Sequence, residues 1–172
     1  MTRKKKIGVG CLAAFIVVGG VGWWFYGDLI RHFAPSLWRS VTDRPHEYKG
    51  TSIDNLKAMR NALLSYEESE GQFPEASGWM TAIEKRIVTD DLKSGESEKK
   101  LILPENVGQP GKFGYGFNAS LSGKYHGDIK DHQTLMIYES VDEAKNASGD
   151  PAKAERRGGL AITLDGTIVE SR

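Results

Sequence analysis

A long uncharged stretch near the start of the chain limits the architectures open to it. Residues 7–26 form 20 positions without a charged side chain, about the length that a helix needs to cross a bilayer. The stretch closes with Trp23, Trp24, Phe25 and Tyr26, and such rings favour the headgroup region. It therefore predicts a transmembrane helix that is retained as a signal-anchor, with a cleaved signal peptide as the alternative.

The charges on either side of this stretch predict its orientation. Arg3 and three lysines at 4–6 precede it without an acidic residue, whereas Asp28 follows it. Positively charged flanks stay on the cytoplasmic side of a membrane. Residues 1–6 are therefore predicted to be a cytoplasmic tip, and the chain after the membrane segment is predicted to lie on the far side.

The rest of the composition excludes several classes of protein. The 172-residue chain has no net charge, and its last 146 residues carry 19 basic and 23 acidic side chains. This surface has no basic excess for nucleic acid. The single cysteine, Cys11, lies in the membrane segment, which excludes an intrachain disulfide and a thiolate metal cluster.

Residues 27–50 connect the membrane segment to a predicted soluble domain at 51–172. Pro35 and Pro45 interrupt any helix here. Apolar and basic residues alternate between 29 and 39, which is typical of an interfacial stretch at a membrane surface. A linker that packs its apolar residues on the soluble domain is the alternative.

The soluble domain begins with the pattern of an amphipathic helix over 51–70. Its apolar residues recur at spacings of three and four and are predicted to face the core: Ile53, Leu56, Met59, Leu63 and Tyr66. Thr51 and Asp54 resemble a capping box, and Gly71 and Pro74 end the helix. A second, shorter helix is predicted at 76–88 with Trp79, Ile83 and Ile87 facing inward, followed by a charged loop at 89–100.

The second half of the domain has the pattern of strands. Residues 113–117 and 134–138 are strand-like, and 141–157 is predicted to be a mobile loop. Two β-prone runs at 160–164 and 167–169 flank Asp165-Gly166, which predicts a hairpin with a type I′ turn. The predicted fold class is α+β, with the amphipathic helix packed on a small antiparallel sheet.

The segment 51–74 resembles the helix of bacterial type IV pilin-like proteins and type II secretion pseudopilins. It is most similar to the planctomycete-type prepilin-like family. Two later stretches, Tyr115-Gly-Phe-Asn118 and Arg157-Gly-Gly159 followed by Asp165-Gly166, are similar to a Y-G-Y-N stretch and a closing hairpin in those proteins. The matching helix positions are Asn55, Leu56, Lys57, Leu63, Tyr66, Gly71, Phe73 and Pro74. The resemblance implies a pilin-like domain on the periplasmic side of the bacterial inner membrane.

The N-terminal part of the chain departs from the pilin pattern. A pilin has a Gly-Phe cleavage point and a glutamate five residues into its mature helix. Residues 7–26 contain neither, and Pro35 and Pro45 interrupt the long continuous helix of a pilin. The expectation is a pilin-like subunit that does not polymerise by itself.

One loop carries residues with metal-binding chemistry. His126, Asp128, Asp131 and His132 lie within seven residues, and pairs of this kind can bind a cation. Glycine and charge flank them, which favours a solvated loop without a bound cofactor. The resemblance to pseudopilins adds calcium as the cation to consider.

No other motif indicates catalysis. The sequence has no G-x-S-x-G, P-loop or H-E-x-x-H pattern, and no site for a small-molecule substrate stands out. The leading hypothesis is a non-enzymatic, membrane-anchored interaction protein, either pilin-like or an accessory subunit of a complex of membrane proteins. The alternative is a metal-binding sensor or an enzyme that uses the 126–132 loop.

Overall fold

The computed structural model of the protein describes residues 45–153 and 156–170. The predicted cytoplasmic tip, the predicted membrane helix at 7–26 and most of the predicted connection lie outside these residues. Within the described ranges, no helix has both the length and the apolar character needed to cross a membrane.

The first helix, α1, spans Ser52–Glu70 and matches the sequence prediction at both ends. The capping box is present, because the Thr51 side chain accepts from the Asp54 amide while the Asp54 side chain accepts from the Thr51 amide. Gly71 ends the helix at φ 80°, in the left-handed conformation that glycine adopts without strain.

The buried face of α1 differs from the predicted face. Ile53 is 37% exposed, and Tyr66 is only partly buried. Polar residues occupy two places on the buried face, since Asn55 and Glu67 are 1% and 6% exposed. The inward-facing residues of α1 are Asn55, Leu56, Met59, Ala62, Leu63 and Glu67. Apolar periodicity alone could not identify the two polar members of this set.

The predicted second helix is broken into short pieces. A 3-10 turn at Ala76–Gly78 leads into α2, which spans Trp79–Ile83, and a second 3-10 turn follows at Glu84–Arg86. The inward-facing residues were predicted correctly: Trp79, Ile83 and Ile87 are buried. The predicted charged loop at 89–100 runs into a further 3-10 helix at Ser97–Leu101. Other 3-10 turns lie at Pro104–Asn106, Ala119–Leu121 and His126–Asp128.

Within the described residues, five strands form one sheet in the order β3-β1-β2-β4-β5. The strands are β1 Tyr115–Asn118, β2 Leu135–Ser140, β3 Ser148–Gly149, β4 Arg156–Thr163 and β5 Ile168–Glu170. The β1–β2, β2–β4 and β4–β5 pairs are antiparallel, but β1 and β3 are parallel. The sheet is therefore mixed, and the prediction of an antiparallel sheet was wrong at this edge. The α+β class is confirmed.

The predicted loop at 141–157 contains structure that the sequence pattern did not reveal. It holds β3 and the first residues of β4. Asn146 lies here at φ 64°, and its side-chain oxygen accepts from the Met80 and Thr81 amides at 2.8 and 3.2 Å. Part of this segment thus closes the start of α2, an interaction that only the folded chain brings together.

The closing hairpin is present, but its turn is not type I′. The Gly166 amide donates to the Thr163 carbonyl at 3.0 Å, and Gly166 has φ 95°. Asp165 is not in the left-handed region, although a type I′ turn requires positive φ at both central positions. The Thr163 amide donates to the Thr167 carbonyl at 3.0 Å, so the loop between these residues has three positions, 164–166, and only Gly166 has positive φ. The Arg60 side chain on α1 donates to the Leu164 carbonyl at 2.9 and 2.7 Å and holds this turn against the helix.

The core lies between α1 and the face of the sheet that it covers. Trp79 is fully buried in this core and stacks on Phe117 with ring centroids 5.6 Å apart, while the indole N–H donates to the Ala147 carbonyl at 2.9 Å. The register places Phe117 beside Ile137 and Tyr115 beside Glu139. This last pairing carries a carboxylate onto the covered face of the sheet.

Candidate functional site

The predicted 126–132 loop brings its two histidines together. The rings of His126 and His132 lie 5.6 Å apart between centroids, with 74° between their planes. His126 begins the 3-10 turn that ends at Asp128. We call these two side chains the histidine pair.

Both ends of the loop are tied to other elements. The His126 amide donates to the Glu67 carboxylate at 3.1 Å, and Glu67 belongs to the last turn of α1. The Asp165 amide, in the closing hairpin, donates to the His132 carbonyl at 3.0 Å. Ile129, between the histidines, packs against the core. The backbone that carries the histidine pair is thus fixed at three points.

The two aspartates of the loop do not complete a cluster with the histidine pair. One carboxylate oxygen of Asp131 accepts from the Gln133 amide at 2.9 Å, so it shapes the local turn. Asp128 and Asp131 are exposed. Within residues 45–153 and 156–170, no group of three or more His, Cys, Asp or Glu side chains is placed to hold a metal ion.

A second polar cluster lies at the start of α1, and no sequence pattern predicted it. We call it the helix-start network and define it as Tyr48, Ser52, Asn55, Tyr115 and Glu139. The Ser52 hydroxyl donates to the Glu139 carboxylate and lies 3.0 Å from the Tyr115 hydroxyl. Since the Ser52 proton is directed at Glu139, the Tyr115 hydroxyl must be the donor to Ser52.

The other half of the network centres on Asn55. Its side-chain oxygen accepts from the Tyr48 hydroxyl, and its amide group donates to the Ile102 carbonyl at 2.8 Å. Asn55 is 1% exposed, so these bonds replace the water that it would otherwise bind. The Tyr48 amide donates to the Glu96 carboxylate at 2.8 Å. The His46 amide donates to the Asp91 carbonyl, and the Lys93 amide donates to the His46 carbonyl. Residues 45–50 are thereby attached to the domain.

Burial controls the protonation of this region. Burial, assisted by the charge of Asp54, raises the pKa of Tyr48 to about 12. Burial also raises the pKa of Tyr115 well above its usual value, so both phenols stay neutral and act as donors. Nearby, burial lowers the pKa of Lys100, whose ammonium group donates to the Thr89 hydroxyl at 2.9 Å and lies 5.6 Å from the Tyr48 ring centroid.

The chemistry of the helix-start network is structural. Ser52 faces a carboxylate, which is a weak base toward an alcohol and a poor activator of a nucleophile. The neutral phenols are already committed as donors inside the network. A cavity of about 250 Å³ opens beside it, smaller than most ligand sites. Its lining residues include Tyr48, Asn55, Lys99, Ile102, Pro104 and Val107.

Comparisons with protein-family models, with curated proteins and with solved structures found no match to this chain.

Proposed function

We propose that this chain is a non-enzymatic, membrane-anchored interaction protein with a pilin-like domain. The domain acts on the periplasmic side of a bacterial inner membrane, as an accessory subunit of a complex of membrane proteins. Residues 7–26 are its anchor, and it does not polymerise by itself.

One observation carries the proposal: the positions of the pilin-like pattern have structural roles in the fold. Leu56, Leu63 and Phe73 are fully buried, and Gly71 is the left-handed cap of α1. The Asn55 side chain is hydrogen-bonded to the Tyr48 hydroxyl and the Ile102 carbonyl. Residues that resemble a family through its scaffold, and not through reactive groups, favour a binding role over catalysis.

The same division holds in the second matching stretch. Tyr115 and Phe117 are fully buried, and Asn118 is 4% exposed. The Asn118 side chain donates to the Leu135 carbonyl at 2.7 Å and accepts from the Ser120 amide at 3.0 Å. It therefore closes the end of β1 and supports the sheet.

The proposed lack of self-assembly rests on the charge pattern of the anchor. A carboxylate in hydrocarbon costs several kcal/mol unless it meets a positive partner, so in a pilin it drives pairing and sets register. Residues 7–26 offer no carboxylate. Extraction into a fibre would also pull Arg3 and the lysines at 4–6 through the membrane, where each charge is costly.

A combined topology and interaction experiment tests the proposal. A reporter that is active only outside the cytoplasm, fused after Arg172, should be active, and the protein should fractionate with membranes. Purification in mild detergent should recover a defined set of membrane proteins. Single substitutions to glutamate at exposed apolar residues would then locate the interaction surface. These residues are Ile53, Val88, Val107, Tyr125 and Val141.

Loss of the same co-purified proteins in one of these variants, with an unchanged unfolding midpoint, would support an interaction surface at that residue. An inactive reporter in a well-expressed chain would reverse the topology. Recovery of the chain as a repeating component of sheared surface fibres, with residues 1–26 intact, would contradict the absence of self-assembly.

A further inference from the structure

The histidine pair has the spacing of two imidazoles that share one cation. A cation held by one nitrogen of each ring at about 2.0–2.1 Å, with a tetrahedral angle, places the ring centroids about 5 Å apart. The centroids of His126 and His132 are 5.6 Å apart. The two rings can turn about their bonds to the cation, so the 74° between their planes is compatible with this arrangement.

The loop backbone is already positioned for such binding. His126 is tied to the C-terminal turn of α1 through Glu67, and His132 is tied to the closing hairpin through the Asp165 amide. Holding both ligands on fixed elements reduces the conformational entropy that binding would otherwise cost. Two histidines at the same sequence spacing in a flexible loop would have to be ordered on binding, at a cost in conformational entropy.

The donor atoms select the class of cation. Imidazole nitrogen suits Zn²⁺, Ni²⁺ and Cu²⁺, whereas Ca²⁺ and Mg²⁺ require a shell of oxygen ligands. Asp131 is engaged with the Gln133 amide, and neither loop aspartate forms a group of three ligands with the pair. An oxygen-rich calcium site is therefore not formed by these four residues as the fold arranges them.

We propose that His126 and His132 form a two-imidazole site for a divalent d-block cation such as Zn²⁺, with water completing the coordination shell. The site differs from the calcium site that the resemblance to pseudopilins brought into consideration, since Asp128 and Asp131 are not ligands. It is independent of the proposed interaction role, because neither its geometry nor its test depends on a partner protein.

The experiment measures Zn²⁺ binding to the full chain, purified without a polyhistidine tag, by competition with a chromogenic chelator. We expect one Zn²⁺ per chain, unaffected by excess Ca²⁺. The variants His126→Ala and His132→Ala should each lose this binding.

His46→Ala is the matched control, because His46 is an exposed histidine with a carboxylate, Asp91, 3.8 Å away, and this variant should bind as the wild type does. Asp128→Asn and Asp131→Asn should also retain binding.

A second measurement on the unmodified protein removes any ambiguity from a variant that fails to fold. With histidine labelled by ¹⁵N, the imidazole signals of His126 and His132 should shift together on addition of Zn²⁺, while the signals of His46 stay in place. The proposal is overturned by the absence of stoichiometric binding, by binding that survives both His126→Ala and His132→Ala, or by binding that disappears in the aspartate variants.

Discussion

The two ends of α1 are capped and stabilised in different ways. Each end leaves main-chain groups without helical partners, and each is packed against the rest of the domain. At the N-terminal end, the Thr51 capping box satisfies a helix amide, and the helix-start network joins the first turn to the rest of the domain. At the C-terminal end, the Gly71 amide donates to the Glu67 carbonyl, and the Glu67 carboxylate accepts from the His126 amide, although the negative end of the helix dipole disfavours an acidic group there.

The two ends of α1 also differ in how much of their polar surface is shielded from water. Asn55, Tyr115 and Glu139 at the N-terminal end are buried, so a lost hydrogen bond there leaves a polar group unsatisfied in an apolar environment. At the C-terminal end, residues 68–71 are exposed beyond the buried Glu67, and the Arg86 guanidinium pairs with Glu70 at 3.2 Å and lies 4.8 Å from the Tyr66 ring centroid. We therefore expect substitutions at the N-terminal end to lower the free energy of unfolding more than substitutions at the C-terminal end.

The largest effect is expected at Asn55. Asn55→Ala removes the partner of both the Tyr48 hydroxyl and the Ile102 carbonyl, and leaving such groups unsatisfied should lower the free energy of unfolding by about 3 kcal/mol. Urea unfolding followed by circular dichroism measures the change. The matched control is Asn61→Ala on the exposed side of the same helix, which should change stability by less than about 0.5 kcal/mol. Equal losses at the two positions would contradict the importance of the network.

A smaller effect is expected at the C-terminal cap. Gly71→Ala should cost about 1–2 kcal/mol, because an L-residue is strained at φ 80°. A methyl group added at Gly71 meets no atom within 4 Å, so the loss would report backbone strain alone. Gly78→Ala is the control, since its added methyl group is equally free while its φ is −134°. If both variants unfold at the same urea concentration, the left-handed cap is not stabilising.

The contrast between the two ends also explains what the sequence could predict. The bounds of α1 followed from local signals, since Thr51, Asp54 and Gly71 act within a few residues of themselves. The helix-start network did not, because Ser52 and Asn55 meet partners that are 63 and 47 residues away. Helical periodicity counts apolar side chains, so it assigned Ile53 to the core and left Asn55 out.

The sheet and the candidate site show the same limit. Alternation located β1, a short apolar run located β2, and two β-prone runs around Asp165-Gly166 located the closing hairpin. The two-residue β3 has too few residues to produce a pattern. Spacing alone selected His126 and His132 together with two aspartates. The folded chain separates the histidine pair from the aspartates, because it places the two rings 5.6 Å apart. It fixes their backbone through contacts to Glu67 and Asp165, which are distant in sequence.

A still smaller effect is expected at Glu67, where two substitutions distinguish its charge from its hydrogen bond. Glu67→Gln keeps an oxygen that can accept from the His126 amide and removes a negative charge from the end of the helix, so stability should rise by up to about 0.5 kcal/mol. Glu67→Ala also removes the acceptor and should cost about 1 kcal/mol. A loss in Glu67→Gln as large as that in Glu67→Ala would show that the charge itself is required.

The smallest effect near neutral pH concerns Tyr48, where the helix-start network meets ionisation. Because burial raises the pKa of Tyr48 from 10.0 to about 12, folding favours the neutral phenol. The resulting stabilisation is complete below pH 10 and is lost as the pH rises from about 10 through about 12. Unfolding midpoints measured across this range should therefore fall more steeply for the wild type than for Tyr48→Phe, which has no phenol to ionise. Both proteins carry the same lysines, so general alkaline destabilisation cancels in the comparison. Parallel curves would mean that Tyr48 ionises as readily in the folded chain as in the unfolded one, and its place in a buried network would be wrong.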